Sequence, residues 1–166
     1  MTFRHKARRP KGTWILVADR AHARIFATSE LEPKDLEEIK SLVHAEAAAH
    51  SRDVVTDRPG RFAGHSGECV AGDPETDFRH RTATDFACQI VRELERGREH
   101  NQFGTLVIIA PALFLGTLRN HLSRPLKRSI SAEIEKELVD ATPADIIQYV
   151  RQALSVESQD REPTGE

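Results

Sequence analysis

The sequence predicts an α/β domain built on one mixed sheet of about five strands, with helices on its faces. Three observations predict it. Residues 13–43 hold three successive strand-like segments and no helical period. The apolar run Leu106-Val107-Ile108-Ile109-Ala110 reads as a strand covered on both sides. From residue 73 onward, helical stripes alternate with strand-like segments, the order that lays helices on a partly parallel sheet.

The first two strands are Thr13 to Asp19 and His22 to Thr28, rich in aromatic and β-branched residues and joined by a tight turn at Asp19-Arg20-Ala21. A third spans Leu36 to Val43, and together they form an antiparallel meander. Residues 44–72 carry Pro59, Gly60, Gly64, Gly67 and Gly72 with little apolar period, so they read as a long loop. Loops longer than about 15 residues in compact domains usually carry function or lack order.

Asp73-Pro74-Glu75 then opens a helix, because Asp can cap free N–H groups and Pro at the first position loses no hydrogen bond. Phe86, Ile90, Val91 and Leu94 form its core stripe, Cys88 is expected as a small core residue, and Gly97 and Gly104 bracket its end. Pro111 opens a second helix carrying Leu115, Leu118 and Leu122. Ile130, Ala132, Ile134 and Leu138 alternate as in a strand, while Ile130, Ile134 and Leu138 also fit a helix. The fresh cap at Thr142-Pro143-Ala144-Asp145 favours the strand. The last helix should bury Ile146, Ile147, Val150 and Leu154. The expected order is β-β-β-loop-α-β-α-β-α.

The chain of 166 residues fits one domain, here residues 13–155, flanked by a basic flexible tail (1–12) and a polar tail (156–166). Cys69 and Cys88 give neither a disulfide framework nor a zinc ribbon, a usage suited to a reducing compartment. No apolar run behind the basic N-terminus is long enough for a signal peptide. The longest apolar stretch, Leu106 to Leu115, is about half the roughly 20 residues of a membrane span. A cytoplasmic location without a membrane span is expected. The net charge is −2, but five of the 24 basic residues and none of the 26 acidic ones lie in the tail. A basic arm on an acidic body suits contact with phosphate, and also suits a merely solvated terminus.

The candidate site centres on Asp57-Arg58-Pro59-Gly60-Arg61-Phe62-Ala63-Gly64-His65-Ser66-Gly67. Gly60 and Gly64 allow close backbone approach, Arg58 and Arg61 suit bidentate phosphate contacts, and His65 adds a titratable donor. Arg79 and Arg81, with His80 between them, extend the positive surface at the start of the long helix. His65 and Cys69 are four apart with His80 farther on, but the set lacks a clear third and fourth ligand, so no metal site is expected, and no cofactor motif is present. Asp19 fits a hairpin turn better than a metal-binding carboxylate. Ser66 lacks the strand-turn-helix setting of a nucleophile elbow.

Taken together, Trp14 to Phe26, Asp57-Arg58-Pro59-Gly60-Arg61, Phe86-Ala87, and Leu106 to Pro111 followed by Leu115-Gly116-Thr117-Leu118-Arg119 resemble the bacterial host attachment protein family over roughly residues 13–154. That family is distantly similar to the middle domain of archaeal and eukaryotic peptide-chain release factors. The resemblance implies a mixed sheet of the ribosomal L18/S11 type and a translation-related role. The release factors' Gly-Gly-Gln is missing here, where Gly64-His65-Ser66-Gly67 stands nearest, so release activity is not carried over. The expectation is a non-catalytic cytoplasmic protein that binds RNA or the ribosome and affects host attachment indirectly. The alternatives are a hydrolase of an ester or nucleic acid acting through the 57–67 loop, and a protein-interaction module.

Overall fold

A computed structural model describes residues 12–30, 33–49 and 74–159, with backbone alone at 74–75 and 156–159. Strands β1 (Thr13–Ala18), β2 (His22–Thr28) and β3 (Glu37–Val43) form the predicted meander. Then follow α1 (Pro74–Glu99), β4 (Thr105–Ala110), α2 (Ala112–His121), α3 (Arg124–Ser129), β5 (Ile130–Glu135) and α4 (Pro143–Gln159). The sheet order is β3-β2-β1-β4-β5. β1 and β2 pair antiparallel, as do β2 and β3, while β1, β4 and β5 run parallel.

The β1–β2 hairpin closes as its sequence indicates. The Asp19 carboxylate accepts from the backbone N–H groups of Ala21 (2.7 Å) and His22 (2.6 Å). This is an Asx turn, in which a short side chain replaces a backbone partner. Asp19 therefore shapes the turn that carries Arg20 to the end of the sheet.

Alternation divides the central strands between two cores. Trp14, Leu16, Leu106 and Ile108 point to the side of α1, α2 and α3. Ile15, Val17, Val107 and Ile109 point to the other side, where α4 lays down Ile146, Val150 and Leu154. Both faces are covered, which is why β1 and β4 read as unbroken apolar runs. β3 is an edge strand and mostly exposed. Its register against β2 shifts between Ile25 and Phe26, which leaves Ile39 unpaired in a bulge. A bulge with Glu37, Glu38 and Lys40 around it blunts an edge against further strand pairing.

α1 runs for 26 residues and ends in a Schellman motif. Gln102 N–H donates to the Gly97 carbonyl and Asn101 N–H to that of Arg98, both at 2.9 Å. Asn101 takes the left-handed position with φ 56°. Asparagine enters that region more readily than other non-glycine residues.

Several expectations are corrected. Cys88 is only half-buried, because Ala87 takes the core position and the helical turn swings Cys88 to the flank. Ile147 is likewise half-buried beside fully buried Ile146. The interval expected as loop from residue 44 opens with a helical turn over 45–49, where His44 Nδ1 accepts from Ala47 N–H at 3.3 Å. The short α3 was not anticipated. Ser123 caps it, its hydroxyl accepting from Leu126 N–H at 3.3 Å, with Pro125 in the first turn. Residues 130–135 are the strand that the cap at Thr142 favoured, and α4 extends past Val156 to Gln159.

Candidate functional site

In sheets of this kind, ligands bind beyond the carboxyl ends of the parallel strands. A cleft of about 420 Å³ lies there, at the ends of β1 and β4. The hairpin contributes Arg20, the first turns of α1 contribute Thr76, Arg79, His80 and Ala83, and the start of α2 contributes Leu113, Phe114 and Thr117.

Each element places its side chains for a local reason. The Asx turn at Asp19 lifts Arg20 off the sheet. Thr82 is buried behind the cleft, its hydroxyl donating to the carbonyls of Phe78 (3.0 Å) and Arg79 (3.2 Å). Phe86 and Phe114 stack beneath at 6.1 Å, and the His44 ring lies against Phe86 at 5.5 Å. α2 starts directly at Pro111, which supplies no side-chain cap, and no acid stands in its first turn. Its first N–H groups thus add positive potential at this end of the sheet. Leu113 is 91% exposed while its neighbours Phe114 and Leu115 are buried.

The cleft therefore presents two guanidinium groups, an imidazole and two threonines around an apolar wall. Among the described residues no carboxylate or thiol lines it. Guanidinium planes hold phosphate oxygens by paired hydrogen bonds and also stack on bases.

A wider groove of about 580 Å³ runs between β3 and α1, with Trp14, Ile25 and Ile39 on its floor. Its rim cations are engaged within the molecule. Glu93 takes both Lys40 and Arg96, the latter at 3.1 Å. An anion there would have to displace an internal partner.

Among the predicted site residues, Arg79 lines the cleft, with His80 beside it. Arg81 is exposed and does not line it, being turned to another side of α1. Arg58, Gly60, Arg61, Gly64 and His65 lie outside the described residues. The described stretches that flank them, the turn at 45–49 and the start of α1, follow β3 and face the same end of the sheet as the cleft. Arg20 and Leu113 were not picked out from sequence. Arg20 was hidden in a dipeptide that reads as a turn, and Leu113 in an apolar run. The signal was its offset from the Leu115-Leu118-Leu122 stripe. No group of three or more His, Cys, Asp or Glu among the described residues is arranged to hold a metal ion. Away from the cleft, the hydrogen bond from Arg119 to Glu133 outweighs slight desolvation and raises the guanidinium above the ordinary arginine range.

Comparison with known proteins adds the following. The protein family described as "Protein required for attachment to host cells" matches residues 14–150. No curated protein matches the chain. Among solved structures, an archaeal translation termination factor is similar at 13% identity and TM-score 0.46, over 90% of this chain. A second, an archaeal protein, is similar at 14% identity and TM-score 0.40, again over 90% of this chain. This chain spans 40% of the first structure's length and 39% of the second's.

Proposed function

This chain belongs to the family of proteins required for attachment to host cells, and from that premise we propose that it is a non-catalytic RNA-binding protein that docks on the ribosome inside the bacterial cell. In this reading its effect on attachment is indirect, exerted through translation. The observation that carries it is the convergence of Arg20, Arg79 and His80 on one cleft around an exposed Leu113, with no acid among the described residues of the lining. Phosphates would be held by the guanidinium groups, and a base or sugar would pack against the leucine and the arginine planes. Arg58, Gly60, Arg61, Gly64 and His65 belong to the same proposal as further contacts to the nucleic acid. Among the described residues no helix is long and apolar enough to cross a membrane.

The test is co-sedimentation with ribosomes on sucrose gradients at low and moderate salt. Phosphate contacts release counterions, so binding should weaken as salt rises. The Arg20→Ala/Arg79→Ala variant should leave the ribosomal fractions at a lower salt than the wild type. Arg58→Ala/Arg61→Ala should do the same. A wild-type protein that stays at the top of the gradient at both salts refutes ribosome docking. Co-sedimentation that the Arg20/Arg79 variant retains in full would remove the cleft from the reading.

A further inference from the structure

Between Glu99 and Glu133 the chain has no aspartate or glutamate, although 26 of its 166 residues are acidic. The fixed charges in that interval are Arg119, Arg124, Lys127 and Arg128. Arg119 is matched from outside the interval: its Nε donates to Glu133 at 2.7 Å. The other three lie on α3 and are exposed. None of them takes part in an ion pair or side-chain hydrogen bond among the described residues.

The register of α3 explains the display. Ser123 fixes the start of the helix, and its hydroxyl also donates to Glu95 on α1. With the start pinned, Leu126 goes into the core beside Leu122. Positions 124, 127 and 128 then share the outer face within one turn, since residues three and four apart are neighbours on a helix. α2 runs for ten residues away from the cleft, about 15 Å, before α3 begins. The basic face therefore stands near the other end of the sheet, beside the start of β5.

We propose that Arg124, Lys127 and Arg128 form a second contact surface for RNA, which grips the phosphate backbone without reading bases. It rests on the RNA-binding reading of the cleft and extends it to a strand that touches both ends of the domain. The charge pattern fits a polyanion: three neighbouring cations left without internal partners bind phosphates and displace their counterions. A lipid surface is a poorer fit. Interfacial helices offer an apolar face to the bilayer, and the leucines of this segment are buried.

The experiment is fluorescence anisotropy of a labelled, mixed-sequence single-stranded RNA with the full chain over a range of salt. Three proteins are compared: wild type, Arg124→Ala/Lys127→Ala/Arg128→Ala, and Arg20→Ala/Arg79→Ala. Each lost phosphate contact lowers the slope of log K against log salt by roughly 0.7, so the triple variant should lose about 2. Its affinity at low salt should fall about tenfold or more, and Arg124→Lys/Arg128→Lys, which keeps all three charges, should retain the slope. If the triple alanine variant keeps the wild-type slope and affinity while the Arg20/Arg79 variant loses binding, the cleft reading stands and the α3 surface is overturned. A wild type that binds no RNA overturns both. Binding to polyglutamate or anionic vesicles through α3, without RNA binding, overturns RNA as the partner.

Discussion

The Trp14 indole lies directly against Gly97, so that a Cβ added at Gly97 would stand 2.3 Å from Cη2 and 2.4 Å from Cζ3 of the ring. The indole is buried and stacked on Phe103 at 4.6 Å, which leaves it little room to retreat. Trp14 lies at the start of the central strand and Gly97 in the last turn of α1, so this contact sets how closely α1 approaches the sheet. Glycine inside a helix normally costs about 1 kcal/mol relative to alanine, and here that cost is offset by the fit. Gly97→Ala should therefore destabilise the protein by about 1–3 kcal/mol, the usual penalty of overpacking, despite its better helix propensity. Urea unfolding followed by the fluorescence of Trp14, the only tryptophan, measures this. Equal or higher stability in Gly97→Ala would mean that the ring moves aside freely.

Arg24 ties the meander to the C-terminal part of the fold. Its guanidinium donates to Glu38 on β3 (2.7 Å) and to the carbonyls of Val139 (3.0 Å) and Ala141 (2.9 Å) ahead of α4. It also lies over the Phe26 ring at 4.8 Å. Removing it leaves partly buried carbonyls unpaired, a loss of about 1–3 kcal/mol. Arg24→Leu should lower stability by that amount, and amide exchange should quicken in α4 more than in β1. Uniform exchange across both elements would show that Arg24 does not anchor α4.

Leu113 offers a test in which stability and binding part company. At 91% exposure it contributes little packing, and a carboxylate in the first turn of α2 would meet the positive end of the helix. Leu113→Asp should leave thermal stability unchanged or raise it by about 0.3–1 kcal/mol. RNA affinity should fall, because an acid then faces Arg20 and Arg79. Unchanged RNA affinity in a stable Leu113→Asp protein would take this wall out of the binding surface.

Much of the fold was legible because its signals are local. The strand-forming composition of β1 and β2, the Asx turn at Asp19, the proline start of α1 and the two-sided run of β4 each depend on residues a few positions apart. The segment 130–135 was readable only through its neighbour: the cap at Thr142 starts a new helix and leaves the preceding residues to the strand. The site was less legible. Arg79 was named from sequence, while its partners Arg20 and Leu113 lie about 60 and 30 residues away in the chain and meet it only because β1 and β4 are adjacent and parallel.

By itself, then, the sequence determined the elements, the two-sided burial of the central strands and the acid-free interval that carries the α3 charges. Side-chain period, turn chemistry and charge count are properties of short stretches and survive without contacts. Tertiary structure alone decided that β1 sits between β2 and β4, that Gly97 closes on Trp14, and that Arg81 turns away while Arg20 turns in. Those outcomes depend on packing between segments distant in the chain, and no local pattern encodes which of the possible pairings buries the most surface without strain.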